Sequence, residues 1–315
     1  MTSIDLLQEE EFPPTRFAFA YGSGAVAQTG YDPAECPMLD LVFVVDDPVE
    51  WHRLNLINNG HHYSMLATLG PRVISQIQSL PACVYYNTLT PMKGGGQKGR
   101  MMKYGAIGLI DFQRDLREWR HLYLAGRLHK PVIFLSSPNS CISTDLTSNL
   151  SSAVRTALLL LPEHFSKKEL FLSIASLSYM GDFRMSFGEN PDKVRNIVLP
   201  NLDKFERLYE PVVAKHFSRS CTWRPGGSEG GLYEQDLSMA ARENHVSMLP
   251  AAMQLPPGVP IEASAIKAQL RSIVFRSALL QSTKGILTAG PAKSAKYSGA
   301  KLGKFASWWI RRIRG

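Results

Sequence analysis

Apolar residues run unbroken from Phe17 to Ala20 into Tyr21-Gly22-Ser23-Gly24, and again from Met38 to Val45, interrupted there only by Asp40. Short continuous apolar runs bounded by turn residues read as strands covered on both faces, so strands are expected at 17–23 and 38–45. Asp47-Pro48 marks the start of a helix over Val49–Asn58, and Asn59-Gly60 its stop. Tyr63–Gln78 is helical in pattern. Ala82–Asn87 and Met102–Ile110 read as strands joined by the Gly- and Lys-rich stretch Lys93–Arg100. A helix from Asp111 or Phe112 to Ala125 and a strand over Lys130–Leu135 follow. Beyond these, Leu146–Leu161, Lys167–Ser178 and Asp192–Lys215 are helical, with breaks at Arg224–Gly231 and Leu255–Pro260 before a last helix, Ile261–Leu280. The order predicts an α/β sheet domain over residues 1–137 and a mainly helical domain over 138–260. A C-terminal helix and Ser282-Thr283-Lys284-Gly285 segment (261–300) would pack back on the core, followed by a tail, 301–315.

The chain has 315 residues, enough for two domains, and its 44% apolar and 20% charged content is that of an ordinary globular protein. Every apolar run falls far short of the roughly 20 residues that span a bilayer. Cys36, Cys83, Cys141 and Cys221 form no Cys-x-x-Cys pair, and the eight histidines no His-x-x-x-His pair, so neither a disulfide framework nor a zinc site is indicated.

Net charge is +8, yet Lys293, Lys296, Lys301, Lys304, Arg311, Arg312 and Arg314 carry seven of those charges within the last 25 residues. The body is nearly neutral, which argues against a nucleic-acid partner. Wound as a helix, the tail places Leu302, Phe305, Ala306, Trp309 and Ile313 on one face. Lys304, Arg311 and Arg312 fall opposite, with Trp308 and Arg314 at the boundaries. Apolar, aromatic and basic residues so divided describe a helix lying in an anionic membrane interface. The alternative is a terminal helix docked on the protein's own core; the polar linker before it favours the membrane.

Gly22-Ser23-Gly24 after a strand offers exposed amides and close backbone approach, which suits a nucleotide's phosphates. One strand later, Asp40 supplies a hard oxygen ligand for the magnesium that accompanies them. Taken alone the pattern is equally that of a plain hairpin turn. Gly94 and Gly99 have Walker spacing, but Arg100-Met101 replaces Lys-Ser/Thr, so the loop is not a P-loop. Lys103, in an otherwise apolar strand, is either a phosphate ligand or an ordinary solvated residue.

Together the ordered motifs resemble one family. They are Tyr21-Gly22-Ser23-Gly24, Asp40, Trp51-His52 with Asn55, His62-Tyr63-Ser64, Tyr85-Tyr86-Asn87, Lys103-Tyr104-Gly105, Asp115, Leu124 to Pro131, Gly181 to Met185, and Gln281 to Ile286. Over residues 17–290 the chain is similar to the mitochondrial phosphatidate cytidylyltransferases, also called mitochondrial translocator assembly and maintenance proteins. The resemblance implies a nucleotidyltransferase-fold domain, a winged-helix-like domain and a peripheral, matrix-facing CDP-diacylglycerol synthase of the inner membrane, upstream of cardiolipin. CTP and phosphatidate are the implied substrates and Mg²⁺ the cofactor. Gly22, Ser23 and Gly24 are then expected at the triphosphate and Asp40 at the metal. Lys103, Arg127 and Lys130 are candidates for the triphosphate or the phosphatidate headgroup, and Lys284 for a phosphate. Arg127 and Lys130 also read as a helix C-terminal cap.

Two departures stand out. Nucleotidyltransferases usually carry Asp-x-Asp or Asp-x-Glu, but Val42 stands at the second position. Asp46 shares the strand face of Asp40, but six residues on it lies roughly 20 Å away. Asp182 and Asp115 are therefore the candidates for a second carboxylate, with a salt bridge to Arg184 or Arg127 as the alternative for Asp182. Met1–Glu11 carries three consecutive Glu residues and no Arg-rich amphipathic stretch, so it does not read as a matrix-targeting presequence, and the mitochondrial expectation rests on resemblance. Rival readings are a nucleotidyltransferase with another acceptor and a non-catalytic membrane-associated assembly factor.

Overall fold

A computed structural model describes residues 10–29, 37–93, 99–187, 190–225 and 231–289. Among these, the strands are β1 (Phe17–Tyr21), β2 (Leu39–Val45), β3 (Tyr85–Pro91), β4 (Met101–Gly108), β5 (Ile133–Phe134), β6 (His164–Phe165), β7 (Cys221–Arg224) and β8 (Leu232–Gln235). The helices of the sheet region are α1 (Pro48–Asn59), α2 (Gly70–Ser79), α3 (Leu109–Glu118) and α4 (Ala125–Leu128). Beyond it follow α5 (Ser140–Leu158), α6 (Lys167–Ser176), α7 (Arg184–Phe187), α8 (Lys193–Val198), α9 (Leu202–His216), α10 (Met239–Ser247) and α11 (Ala263–Ala289).

The main sheet has the order β3-β4-β2-β1-β5, with β2 and β4 parallel and the other pairs antiparallel. The apolar runs of β1 and β2 occupy its centre because both faces are covered. One face, Phe17, Phe19, Val42, Val44 and Ile107, packs on Phe112, Leu116 and Trp119 and continues into a cluster with Ile174, Phe205 and Tyr209 of the later helices. The opposite face, with Leu41, Phe43, Val45 and Tyr104, packs on Trp51 of α1. Alternation along each strand separates the two sets.

Local chemistry sets most boundaries. Asp47 caps α1, accepting from the amides of Val49 (2.9 Å) and Glu50 (3.2 Å), and Pro48 starts the helix where no amide is needed. The expected helix over Tyr63–Gln78 breaks at Gly70, whose φ of +82° follows a 3₁₀ stretch. Asp192–Lys215 divides at Pro200 into α8 and α9. The expected helix ending at Ala125 stops instead at Trp119, which adopts a left-handed conformation, φ +53°.

The region after β5 is helical, as expected, and also holds a small antiparallel sheet, β6-β8-β7. Helix α11 runs past its expected end at Leu280 to Ala289, so the Ser282-Thr283-Lys284-Gly285 segment is part of the helix. Among the described residues no helix is long and apolar enough to cross a membrane. The tail residues expected at a membrane, Leu302, Lys304, Phe305, Trp308, Trp309, Arg311, Arg312 and Ile313, lie outside the described residues.

Candidate active site

Strand pairing lines up one row of side chains at an end of the main sheet. Tyr21 of β1 pairs with Asp40 of β2, and Asp40 pairs with Lys103 of β4. Cross-strand partners share a face. Phenol, carboxylate and ammonium therefore project together on the side that packs against the helices. Burial, and Asp40 beside it, hold the Tyr21 hydroxyl above its ordinary pKa against the opposing pull of Lys103 and Arg127.

The chain leaves β1 at Gly22, φ +75°, and turns back as the Gly22 carbonyl accepts from Ala25 (3.1 Å) and Val26 (2.9 Å). A Cβ on Gly22 would lie 3.1 Å from Asp40 Oδ2, and one on Gly24 would lie 2.2 Å from the Met38 carbonyl oxygen. Bare backbone thus lies directly beside the carboxylate and against the approach to β2. Arg100 fastens this turn, donating from Nε to Pro37 O (2.9 Å) and from Nη2 to Gly24 O (2.7 Å). From the other side, Asn201 Nδ2 donates to Ala27 O (2.7 Å), and the Thr29 amide donates to Asn196 O (3.1 Å).

Cations surround the row. Lys103 Nζ stands 4.2 Å from the centroid of the Tyr86 ring, and that ring lies over Gly105, where a Cβ would come within 2.5 Å of it. Lys103-Tyr104-Gly105 is thereby explained: Gly105 admits the ring on which the Lys103 ammonium rests. The Arg127 guanidinium stacks on Tyr123 (3.8 Å) and Tyr21 (5.2 Å) and donates to Tyr123 O (2.6 Å). Lys130 Nζ donates to Ser178 Oγ (2.8 Å) and to the Gly126 carbonyl. Burial, then Arg127 and Lys193, push its pKa down to about 7.

Three expected site residues are placed otherwise. Asp115 Oδ1 accepts from the amide of His121 (2.9 Å), and Oδ2 from those of Tyr123 (3.0 Å), Leu124 (2.8 Å) and Ala125 (3.1 Å). This carboxylate folds the turn that carries Tyr123 and Arg127, a structural role in place of the expected metal ligation. Asp182 is held by Arg184, with Nη2 to Oδ2 at 2.6 Å and Nε to Oδ1 at 2.9 Å, the salt bridge given above as the alternative to its catalytic and metal roles. Lys284 lies within α11 and donates to the carbonyls of Gln78 (3.3 Å), Leu80 (3.0 Å) and Pro81 (3.2 Å). It clamps the end of α2 rather than facing a phosphate. Asp46, dismissed on distance, pairs with Arg16 at 2.7 Å.

Several of the other motif residues sit behind the sheet. His52 bonds Tyr63 Oη and Gln78 Oε1, each at 2.8 Å, and Asn55 Nδ2 donates to Tyr63 Oη (2.9 Å) and Tyr104 Oη (3.0 Å). Burial drives the His52 pKa down to about 4, so this imidazole stays neutral as a structural link. Arg100, Tyr86, Tyr123 and Asn201 were not picked out individually from sequence. Arg100 had one signal, a cation closing a Gly-rich stretch, which the Walker test set aside.

Among protein families, the model of phosphatidate cytidylyltransferase, mitochondrial, matches residues 6–256 and 260–304. The chain belongs to this family. Relatives bearing the same name are 43% identical in Xenopus laevis, over 91% of this chain and 89% of the relative, and 42% identical in Danio rerio, over 94% and 92%. The Rattus norvegicus protein, named alike, is 42% identical over the same shares, 94% and 92%. Membership in the phosphatidate cytidylyltransferases makes the chain an enzyme of the nucleotidyltransferase class.

Proposed function

We propose that the chain transfers the cytidylyl group of CTP to phosphatidate, giving CDP-diacylglycerol and pyrophosphate. The row Tyr21–Asp40–Lys103 beside the Gly22-Ser23-Gly24 turn carries this reading. It sets bare backbone, one carboxylate and one ammonium where a triphosphate can lie. Ser23 and the loop amides bind phosphate oxygens, while Lys103 and Arg127 offset the charge that grows on the leaving pyrophosphate. A phosphatidate oxygen, already anionic, forms the new bond to the α-phosphorus. The bond from that phosphorus to the bridging oxygen breaks, and its electron pair leaves with pyrophosphate. No general base is needed.

Magnesium fits the donor set. Asp40 supplies one hard oxygen beside the phosphate turn, and Mg²⁺ characteristically takes one or two carboxylates and completes its shell with substrate phosphates and water. When bound, the ion would neutralise phosphate charge and hold the triphosphate in one orientation.

The finer architecture follows the same reading. The main sheet is the nucleotidyltransferase domain, and the helices with the β6-β8-β7 sheet are the winged-helix-like one. Peripheral attachment through residues 301–315 to anionic lipid, on the matrix face of the inner mitochondrial membrane, would deliver product toward cardiolipin. Supporting this are relatives named mitochondrial and the basic, aromatic pattern of that tail.

The test is incorporation of labelled CTP into chloroform-soluble product with phosphatidate vesicles and Mg²⁺. Wild type should label the organic phase, and Asp40→Ala should lower the rate by at least 100-fold while leaving vesicle binding intact. Absence of label from wild type, with Mn²⁺ and other nucleotides also tried, would refute the reading.

A further inference from the structure

The C-terminal ends of α5 and α9 meet the start of α10 around a cleft of about 340 Å³, lined by none of the residues of the candidate active site. Its charged walls are Arg155, Arg219 and Asp236, with His216 and Asn244 beside them. Arg155 is half-buried, and its guanidinium lies over the Phe217 ring, 4.9 Å from the centroid. Among the described residues that guanidinium has no hydrogen bond and no carboxylate partner. Burial pulls its pKa below the ordinary arginine value, a desolvation cost that no neighbouring carboxylate offsets. Arg219 is exposed and likewise unpaired among the described residues. Asp236 is engaged elsewhere, accepting from the Ser238 amide (2.7 Å) and from Ser238 Oγ (3.0 Å). Ser238 in turn caps α10, whose first turn lines the cleft through Ala240 and Ala241 and brings the positive end of the helix to it. One residue beyond Asn244, His245 is 3% exposed, and neither ring nitrogen has a hydrogen-bond partner among the described residues. Its ring stands 6.2 Å from that of Phe217, the same ring that carries Arg155. An orphaned buried imidazole near an unpaired guanidinium calls for an acceptor.

We propose that this cleft is a second anion site of the chain, taking a phosphate group on Arg155 with Arg219 and the start of α10 around it. Arginine's planar fork matches phosphate oxygens two at a time, and stacking on Phe217 holds that fork in place. Two guanidiniums against one hydrogen-bonded carboxylate leave the cleft net positive, so an anion there relieves repulsion. The volume is that of a small-ligand pocket and admits a headgroup-sized anion. A free phosphate and the headgroup of an anionic phospholipid both carry this chemistry. The inference stands apart from the cytidylyltransferase reading, since it uses none of the residues assigned to CTP or phosphatidate.

The experiment titrates the full chain by calorimetry with inorganic phosphate and, separately, with monomeric dihexanoyl phosphatidylglycerol. CTP is present and Mg²⁺ omitted, so that the phosphate turn is filled and nothing turns over. Wild type should bind, and Arg155→Gln and Arg219→Gln should each weaken binding by roughly tenfold, as loss of one charged contact predicts. Arg155→Lys, which keeps the charge and loses the fork, should fall between. Arg219 is exposed and unpaired, so its replacement keeps the test decisive even where Arg155→Gln fails to fold. Lipid bound about tenfold tighter than inorganic phosphate identifies a headgroup site, and equal affinities identify a free-phosphate site; either supports the proposal. No binding by wild type, or arginine variants that bind as tightly as wild type, would overturn it. Lys103→Gln should leave the phosphate isotherm unchanged. A drop there equal to that in the arginine variants would assign the phosphate to the triphosphate turn and overturn the second site.

Discussion

Lys284→Met separates a structural ammonium from a phosphate ligand. Lys284 is 2% exposed and donates to three main-chain carbonyls at 3.0–3.3 Å, those of Gln78, Leu80 and Pro81. Bonds from a charged donor contribute about 1.5 kcal/mol each at the lower end, so removing three costs on the order of 4–5 kcal/mol. Against this, burial lowers the Lys284 pKa from 10.5 to about 8. Removing the ammonium recovers that penalty, about 3 kcal/mol. The bonds win, and near pH 7.5 the variant should be less stable by about 1–2 kcal/mol. The gap should widen with pH. A lysine whose folded pKa is depressed carries its full penalty below the folded value, and the penalty is relieved as pH rises from about 8 toward 10.5. Wild type should therefore gain about 2 kcal/mol on the variant by pH 9.5. Urea unfolding at both pH values measures the difference, and steady-state kinetics at a temperature where both proteins are folded supplies KM for CTP. A variant as stable as wild type at both pH values, but with a raised KM for CTP, would refute the clamp and restore the phosphate role.

Other outcomes follow from single contacts. Gly24→Ala drives a methyl to 2.2 Å from the Met38 carbonyl, so the turn must shift, and kcat/KM should fall by about 100-fold with folding retained by circular dichroism. Asp115→Ala strips the acceptor from four amides and should destabilise the protein by about 3–5 kcal/mol in urea; unaltered stability with altered metal dependence would reinstate Asp115 as a ligand. Deleting residues 301–315 should abolish sedimentation with cardiolipin-containing vesicles while turnover on dihexanoyl phosphatidate persists, and unchanged sedimentation would eliminate the membrane helix.

The sequence by itself determined what depends on neighbours along the chain. The runs Phe17–Ala20 and Leu39–Val45 are strands because continuous apolar residues can only be buried on both faces, and Asp47-Pro48 starts a helix because its cap is local. Gly22-Ser23-Gly24 was legible as a turn at the end of a strand, and Asp40 as a lone carboxylate on the next strand, from residue type alone. The hairpin of β7 and β8 was not, since Cys221–Arg224 and Leu232–Gln235 are four residues each and the sequence between them reads only as a Gly/Pro-rich break. The extent of α11 was hidden too. Gly285 looks like a stop, yet the helix continues while Gln281 and Lys284 reach the carbonyls of Val84 and the end of α2. The tertiary structure decided how each carboxylate is surrounded. Asp40, Asp115 and Asp182 are equivalent as letters; one stands in a row with Tyr21 and Lys103, one is enclosed by amides and one is held by an arginine. A carboxylate's role is set by the donors within about 3 Å of its oxygens. Long-range packing chooses the donors for Asp40, and so a site whose motifs lie far apart in the chain becomes visible only once the strands are in register.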